Sequence, residues 1–352
     1  MYAIPRDLYR CCISVLTVIF FATVTCYSSS VWSQTVQGPV VDWNISFWGK
    51  KRAMSAGMEH VAEQIAKRTD NKFRIKIHYG EALSKSRENL DGISLGALQG
   101  AFFCNFYHPG KNPAWMILTL PFLPIDNPDI SQRVREMLLD HPAFLADMER
   151  WNAIPYISSL LPTYQFMGRG APPLSLEEWK GLRVRAGGGI GEAMKKLGAT
   201  PTTIPSPEIY TSIERGTIDA ASLPFTYGFK SFNVNEVSDW YTVNLSPGTA
   251  ECAVVFNKDS YEALPPQYQA LLNDLKREAY TIQRATYKNV DAKNLPLFEK
   301  DLTGIVYTDA QIAQFRDIAG QPIWEEWVIE NNSFFDARSL LNDLLATAEE
   351  GN

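Results

Sequence analysis

The residues best suited to chemistry lie between positions 179 and 224, in WKGLRVRAGGGIGEAMKKLGATPTTIPSPEIYTSIERGTIDAASLP. Leu182 and Val184 alternate with Arg183 and Arg185, as in a half-buried strand. Three glycines, Gly187, Gly188 and Gly189, lead into a helical run from Ile190 to Leu197. A guanidinium at a strand end, beside the free N–H groups of a helix start, can hold an anion. The same residues would also fit a surface arginine beside a flexible turn, and the spacing alone leaves both readings open.

Metal, redox and nucleotide motifs are missing. The chain has no HExxH, CxxC or Walker sequence. The glycines of GGGIGE lie deep in the chain, with no acidic residue at the distance a dinucleotide site requires. Glu208 reads as an early helix residue facing the positive dipole end, and Asp219 as a polar residue near a strand start, rather than as a catalytic carboxylate pair. His60, His78, His108 and His141 are scattered without metal-ligand spacing. The chain is therefore expected to be a binding protein, not an enzyme, with neither cofactor nor metal.

The 352 residues, 45% hydrophobic and 20% charged, suit two ordinary domains with real cores. Arg6 and Arg10 precede an uncharged apolar run over residues 11–26, and a small polar segment follows. This predicts an export signal over residues 1–33, cleaved after Ser33, and a periplasmic mature protein. An uncleaved anchor is the competing reading, disfavoured because the apolar run is short for a membrane span. Val24 and Thr25 suit lipoprotein processing at Cys26 poorly, and no second stretch is long and apolar enough to span. The formal net charge of −6 becomes slightly more negative once Arg6, Arg10 and Asp7 are removed. A mildly acidic body argues against nucleic acid as a partner. Of five cysteines, only Cys104 and Cys252 lie beyond the leader. They could pair in an oxidising compartment; we read them as two buried free thiols, since the sequence does not set their separation.

The elements that must position Arg185 follow from periodicity. WNISFW reads as a strand, and Met54, Met58, Val61 and Ile65 recur at helical spacing. Phe73, Ile75 and Ile77 alternate with Arg74, Lys76 and His78 in a second strand. A helix over SRENLDGISLGALQ and a strand over GAFFCNFY complete a βαβαβ order, which predicts a parallel sheet. Ligands sit beyond the carboxyl ends of such strands, which nominates Trp48, Asn105, Phe106 and Tyr107, with Arg185 later. For the aromatic residues, plain core or lid packing is an equal alternative. A helical run covers SQRVREMLLDHPAFLADMERW, and EIYTSIERG is a helix closed by Gly216. After Pro265 and Pro266, Leu271, Leu272, Leu275 and Ala279 share one helix face.

The phrases KGLRVR, LGATPTTIPSPEIYTSIERGTIDAA and LTLPFL together resemble the DctP-like substrate-binding subunits of tripartite ATP-independent periplasmic (TRAP) transporters. The resemblance covers roughly residues 42–335. It implies a two-domain α/β fold of the periplasmic-binding-protein kind, with a ligand cleft between discontinuous domains. Domain I would comprise residues 34–162 and 251–290, and domain II residues 163–250 and 291–352. A long helix would span both, and the C-terminal helices would close the second. In that family the residue at Arg185 forms the salt bridge to the ligand carboxylate, and the position of Asn105 lines the cleft. The partners implied are a small organic anion and the TRAP membrane permease subunits, with a monomeric receptor driven by an ion gradient.

Two departures from the pattern bear on the ligand. Where some relatives place a second arginine, this chain has Thr163-Tyr164-Gln165, so Gln165 offers a neutral hydrogen bond. Where many carry Glu-Asn-Pro, it has Ser222, Leu223 and Pro224, followed by Phe225 and Tyr227. The expectation is a less polar pocket, built from Gln165, Leu223, Phe225 and Tyr227 with the residues above. It would take a monocarboxylate or other organic anion with an apolar or aromatic body. A sulfonate ligand, or a sensor subunit for a signalling partner, is the alternative.

Overall fold

A computed structural model describes residues 35–350; the export signal expected over residues 1–33 lies outside the described residues. The first strands and helices alternate: β1 (Val41–Ser46), α1 (Ala56–Arg68), β2 (Phe73–His78), α2 (Asn89–Ser94), β3 (Gly100–Cys104), α3 (Pro128–Leu139), α4 (Pro142–Glu149) and β4 (Ala153–Ser158). The middle of the chain holds β5 (Tyr164–Gly168), β6 (Arg183–Arg185), α5 (Gly188–Lys196), β7 (Thr200–Thr202), α6 (Ile209–Glu214), β8 (Ala220–Pro224), α7 (Tyr227–Ser231) and β9 (Trp240–Thr242). The remainder is β10 (Cys252–Asn257), α8 (Lys258–Glu262), α9 (Pro266–Asp301), β11 (Thr303–Ile305), α10 (Asp309–Ala319), α11 (Gln321–Asn331) and α12 (Ala337–Glu349).

These strands form two sheets, ordered β2-β1-β3-β10-β4 and β11-β9-β5-β8-β6-β7. β1 pairs in parallel with β2 and β3, as the βαβαβ pattern requires. β10 returns from the second sheet and enters the first antiparallel to both β3 and β4. It is buried along its whole length, so it shows no alternation. The fold is thus a two-lobed α/β architecture in which each lobe is built from separated pieces of chain.

Three crossings join the lobes. Residues 159–163 lead from β4 to β5, and residues 245–251 lead back to β10. The two segments bond to each other's neighbourhood: Tyr164 N donates to the Gly248 carbonyl at 2.8 Å, and Ser159 N to the Cys252 carbonyl at 2.9 Å. Buried Arg135 of α3 ties both together. It donates to the carbonyls of Ala250 (3.1 Å) and Leu161 (3.4 Å), to Thr249 Oγ1 (3.3 Å), and pairs with fully buried Glu251. The third crossing is α9, whose 36 residues span about 54 Å at 1.5 Å per residue. It packs on α1 in the first lobe and on α7 and β11 in the second. Gly57 permits the first contact, because a Cβ there would lie 3.1 Å from the Ala279 carbonyl oxygen. Gln283 then bridges the helices, accepting from Gly57 N and donating to the Ala53 carbonyl.

Two expectations are corrected. α10 and α11 pack on α5 of the second lobe, but α12 lies along α3 of the first, so the C-terminal helices do not all close the second domain. Leu340, Leu341 and Leu344 supply its buried face. Cys104 and Cys252 are not free thiols: they form a disulfide, because the antiparallel register of β3 and β10 sets them directly opposite, with Cα atoms 4.0 Å apart.

Candidate functional site

β6 delivers Arg185 to the gap between the lobes. Val184 is buried in the core and Arg183 is held outside by Asp219, so the chain turns at Gly187 with the Arg185 side chain enclosed. Arg185 is 1% exposed. Its Nε donates to the Ile204 carbonyl (2.9 Å), Nη1 to the Ser222 carbonyl (2.7 Å), and Nη2 makes a long contact to Ser206 Oγ (3.4 Å). The guanidinium carbon lies 4.9 Å from the centre of the Phe106 ring, which belongs to the opposite lobe. Among the described residues no carboxylate pairs with it. A guanidinium has five N–H donors, so three neutral acceptors leave both its charge and part of its donor capacity unanswered.

Beside this group lies a hollow of only about 20 Å³, room for a single water molecule. Its walls come from both lobes: Trp48, Arg52, Met54, Phe106 and Tyr107 on one side, Ser206, Leu223, Pro224, Tyr227 and Phe232 on the other. Tyr164 and Leu161 close it at the crossing, and the Cys104–Cys252 disulfide forms part of its floor. Among the described residues, no acidic side chain lines it. Burial pushes the Tyr164 phenol well above its usual range, while the Arg185 charge pulls it back. The lobes are latched over the hollow. Tyr107 Oη meets Ser206 Oγ at 2.9 Å and accepts from Ser206 N at 3.0 Å, and Arg87 Nη2 donates to the Thr203 carbonyl at 3.0 Å.

Of the nine residues nominated from sequence, Trp48, Phe106, Tyr107, Leu223 and Tyr227 line this hollow, and Arg185 sits just behind Phe106 and Ser206. The structure turns the other three away. Asn105 is fully buried; its Nδ2 donates to the Trp115 carbonyl and its Oδ1 accepts from Phe106 N and Glu251 N. Gln165 spends its amide on Ser246 and Thr242, because β5 pairs with β9 on that side. Phe225 stacks on Tyr241 at 5.8 Å within the core of the second lobe.

Sequence reasoning missed Arg52, Ser206 and Tyr164. Arg52 ends a KKR run that reads as a solvated face, yet it follows Trp48 by four residues in the loop beyond the carboxyl end of β1. That rule, already used for Trp48, could have found it. Its guanidinium carbon lies 4.3 Å from the Phe47 ring centre, 5.4 Å from Trp48 and 5.1 Å from Phe232 of the opposite lobe.

A larger hollow of about 520 Å³ lies at the crossings, lined by Leu160, Pro162, Ser246, Gly248 and residues of α9. Asp126 and Asp291 stand in its wall. Arg284 in this wall already pairs with Asp129 at 2.6 Å, and two further carboxylates share the lining, so size alone does not make it the better anion site. Among the described residues, no cluster of histidine, cysteine and carboxylate side chains could hold a metal, and no helix is long and apolar enough to cross a membrane.

Comparison with known proteins agrees with this geometry. The profile of bacterial extracellular solute-binding protein family 7, DctP, matches residues 46–331. A monocarboxylate 2-oxoacid-binding periplasmic protein of Nostoc sp. is 24% identical over 323 residues, covering 89% of this chain and 86% of that protein. The crystal structure of a TRAP periplasmic solute-binding protein from Desulfovibrio salexigens with bound orotic acid superposes with a TM-score of 0.79 at 20% identity, covering 88% of this chain and 99% of that one. A marine metagenome TRAP solute-binding protein specific for aromatic acids, crystallised with 3-hydroxybenzoate, gives a TM-score of 0.77 at 19% identity, covering 89% and 99%.

Proposed function

Because this chain belongs to the DctP family of bacterial extracellular solute-binding proteins, we propose that it captures an organic acid between its lobes, with Arg185 gripping the carboxylate, and delivers it to a TRAP permease in the membrane. It acts as a monomeric periplasmic receptor and not as an enzyme. One observation carries the reading: a fully buried guanidinium with only neutral oxygen partners, beside a hollow that, among the described residues, no acidic side chain lines. A buried charge without a counter-ion is costly. A ligand carboxylate would relieve that cost and give a two-point grip worth about 1.5–3 kcal/mol per charge-assisted bond.

The remaining walls favour a flat, weakly polar body. Trp48, Phe106, Tyr107, Tyr227 and Phe232 are aromatic, and Leu223 is apolar. The orotic acid and 3-hydroxybenzoate held by the two structural neighbours are acids of this shape. The present hollow is too small for them, so entry requires the lobes to part about the three crossings and close again. A thermal-shift screen tests the reading: aromatic and other apolar-bodied acids should raise the melting temperature. A screen in which four-carbon dicarboxylates alone did so would contradict it.

A further inference from the structure

We infer that Arg52 is a second anion anchor in the same cleft, so that the ligand class is a flat acid bearing a second anionic group at its far end. This rests on the assignment of the first carboxylate to Arg185. It also replaces the expectation of a pocket with one cation.

The argument is geometric. Arg52 lines the hollow, and its side chain makes no ion pair with any carboxylate among the described residues. Its loop contacts occupy a single nitrogen: Nη1 donates to the carbonyls of Trp48 (2.8 Å) and Lys50 (3.0 Å). Nη2 has only the Met54 sulfur at 3.7 Å, and Nε is buried with no acceptor. An arginine serving the loop alone would need no more than Nη1, and leaving a buried donor unanswered carries a penalty. Burial lowers its proton affinity, partly offset by the phenols of Tyr227 and Tyr107, which places it among the cleft tyrosines.

The two guanidiniums stand at the ends of a ring ladder. Arg52 packs on Trp48, Trp48 meets Tyr107 edge-on at 5.7 Å, Tyr107 meets Phe106 at 4.7 Å, and Phe106 lies under Arg185 at 4.9 Å. A ligand lying along that ladder presents its faces to rings and its two ends to cations. Closure brings Phe232 of the second lobe over Arg52, which excludes water from the far end.

Calorimetric titration of the mature protein with benzoate and with benzene-1,3- and benzene-1,4-dicarboxylate tests this. At least one diacid should bind roughly tenfold or more tightly than benzoate, as expected of one charge-assisted contact. Arg52→Met, which keeps packing on Phe47 and Trp48, should abolish that preference by weakening the diacids roughly tenfold more than it weakens benzoate; Arg52→Lys should restore part of it. The inference is overturned if Arg52→Met weakens all three acids equally, if it changes nothing, or if the wild-type protein binds no diacid more tightly than benzoate. The Arg185 reading fails separately, by unchanged benzoate affinity in Arg185→Lys.

Discussion

Replacing Tyr107 with phenylalanine should open the receptor. In the closed form its hydroxyl makes two bonds across the lobes, to Ser206 Oγ at 2.9 Å and from Ser206 N at 3.0 Å. The ring itself is 6% exposed and stays packed between Trp48 and Phe106. Each bond contributes about 0.5–1.5 kcal/mol, so the pair contributes about 1–3 kcal/mol, a factor of about 5–150 in an equilibrium constant. The latch exists only when the lobes meet, so the whole loss falls on the closed state, and apparent affinity drops by the same factor. Small-angle scattering should show a larger radius of gyration for unliganded Tyr107→Phe, and calorimetry should show weaker binding with the melting temperature nearly unchanged. Ser206→Ala removes only the hydroxyl half and should have a smaller effect, non-additive with the first. Wild-type scattering and affinity in Tyr107→Phe would refute the latch.

Further outcomes follow from the same contacts. Reducing the Cys104–Cys252 bridge, which closes a loop of 148 residues, should lower stability by about 2–4 kcal/mol in urea unfolding and weaken ligand binding, since the bridge floors the hollow. Glu251→Ala leaves Arg135 charged and buried at the crossings, and should cost about 3–5 kcal/mol by the same assay. Burial lowers the His108 pKa from 6.5 to about 4. Its folded value lies below its unfolded one, so the unfolded chain takes up the proton first. The stability owed to neutral His108 is complete above about pH 6.5 and is lost as pH falls toward 4, by up to about 3 kcal/mol. Asp147, raised to about 6 by burial, works in the opposite sense over part of that window. Denaturation midpoints of His108→Gln should therefore fall less steeply than wild type between pH 6.5 and 4.

What could be read from the chain was local. The alternation of Phe73, Ile75 and Ile77 against Arg74 and Lys76 declares β2 because one face of that strand is buried and the other wet. Gly216 at φ 65° ends α6 where its position predicts. Pro142 splits the expected long helical run into α3 and α4, with His141 capping the second. What could not be read was set by partners distant in sequence. The facing of Cys104 and Cys252 depends on β10 returning antiparallel to β3, and no local pattern encodes that register. Gln165 and Asn105 look available as isolated amides; only the folded neighbourhood supplies the hydroxyls and carbonyls that consume them. Arg52 was hidden by composition, since a basic run normally faces water, whereas here aromatic rings from both lobes enclose its end. Arg185 was legible because a strand end, a glycine turn and a helix start are all contiguous with it.

The central claim is that Arg185 recognises a carboxylate and not merely the shape of the ligand. Calorimetric titration of the tightest-binding acid against its uncharged primary amide, in the wild-type protein and in Arg185→Lys, tests it most directly. The account predicts that the amide binds the wild-type protein roughly a hundredfold more weakly than the acid, and that the lysine variant loses most of that discrimination because it keeps the charge without the planar fork. Equal affinities for acid and amide, or full discrimination retained in the variant, would contradict it.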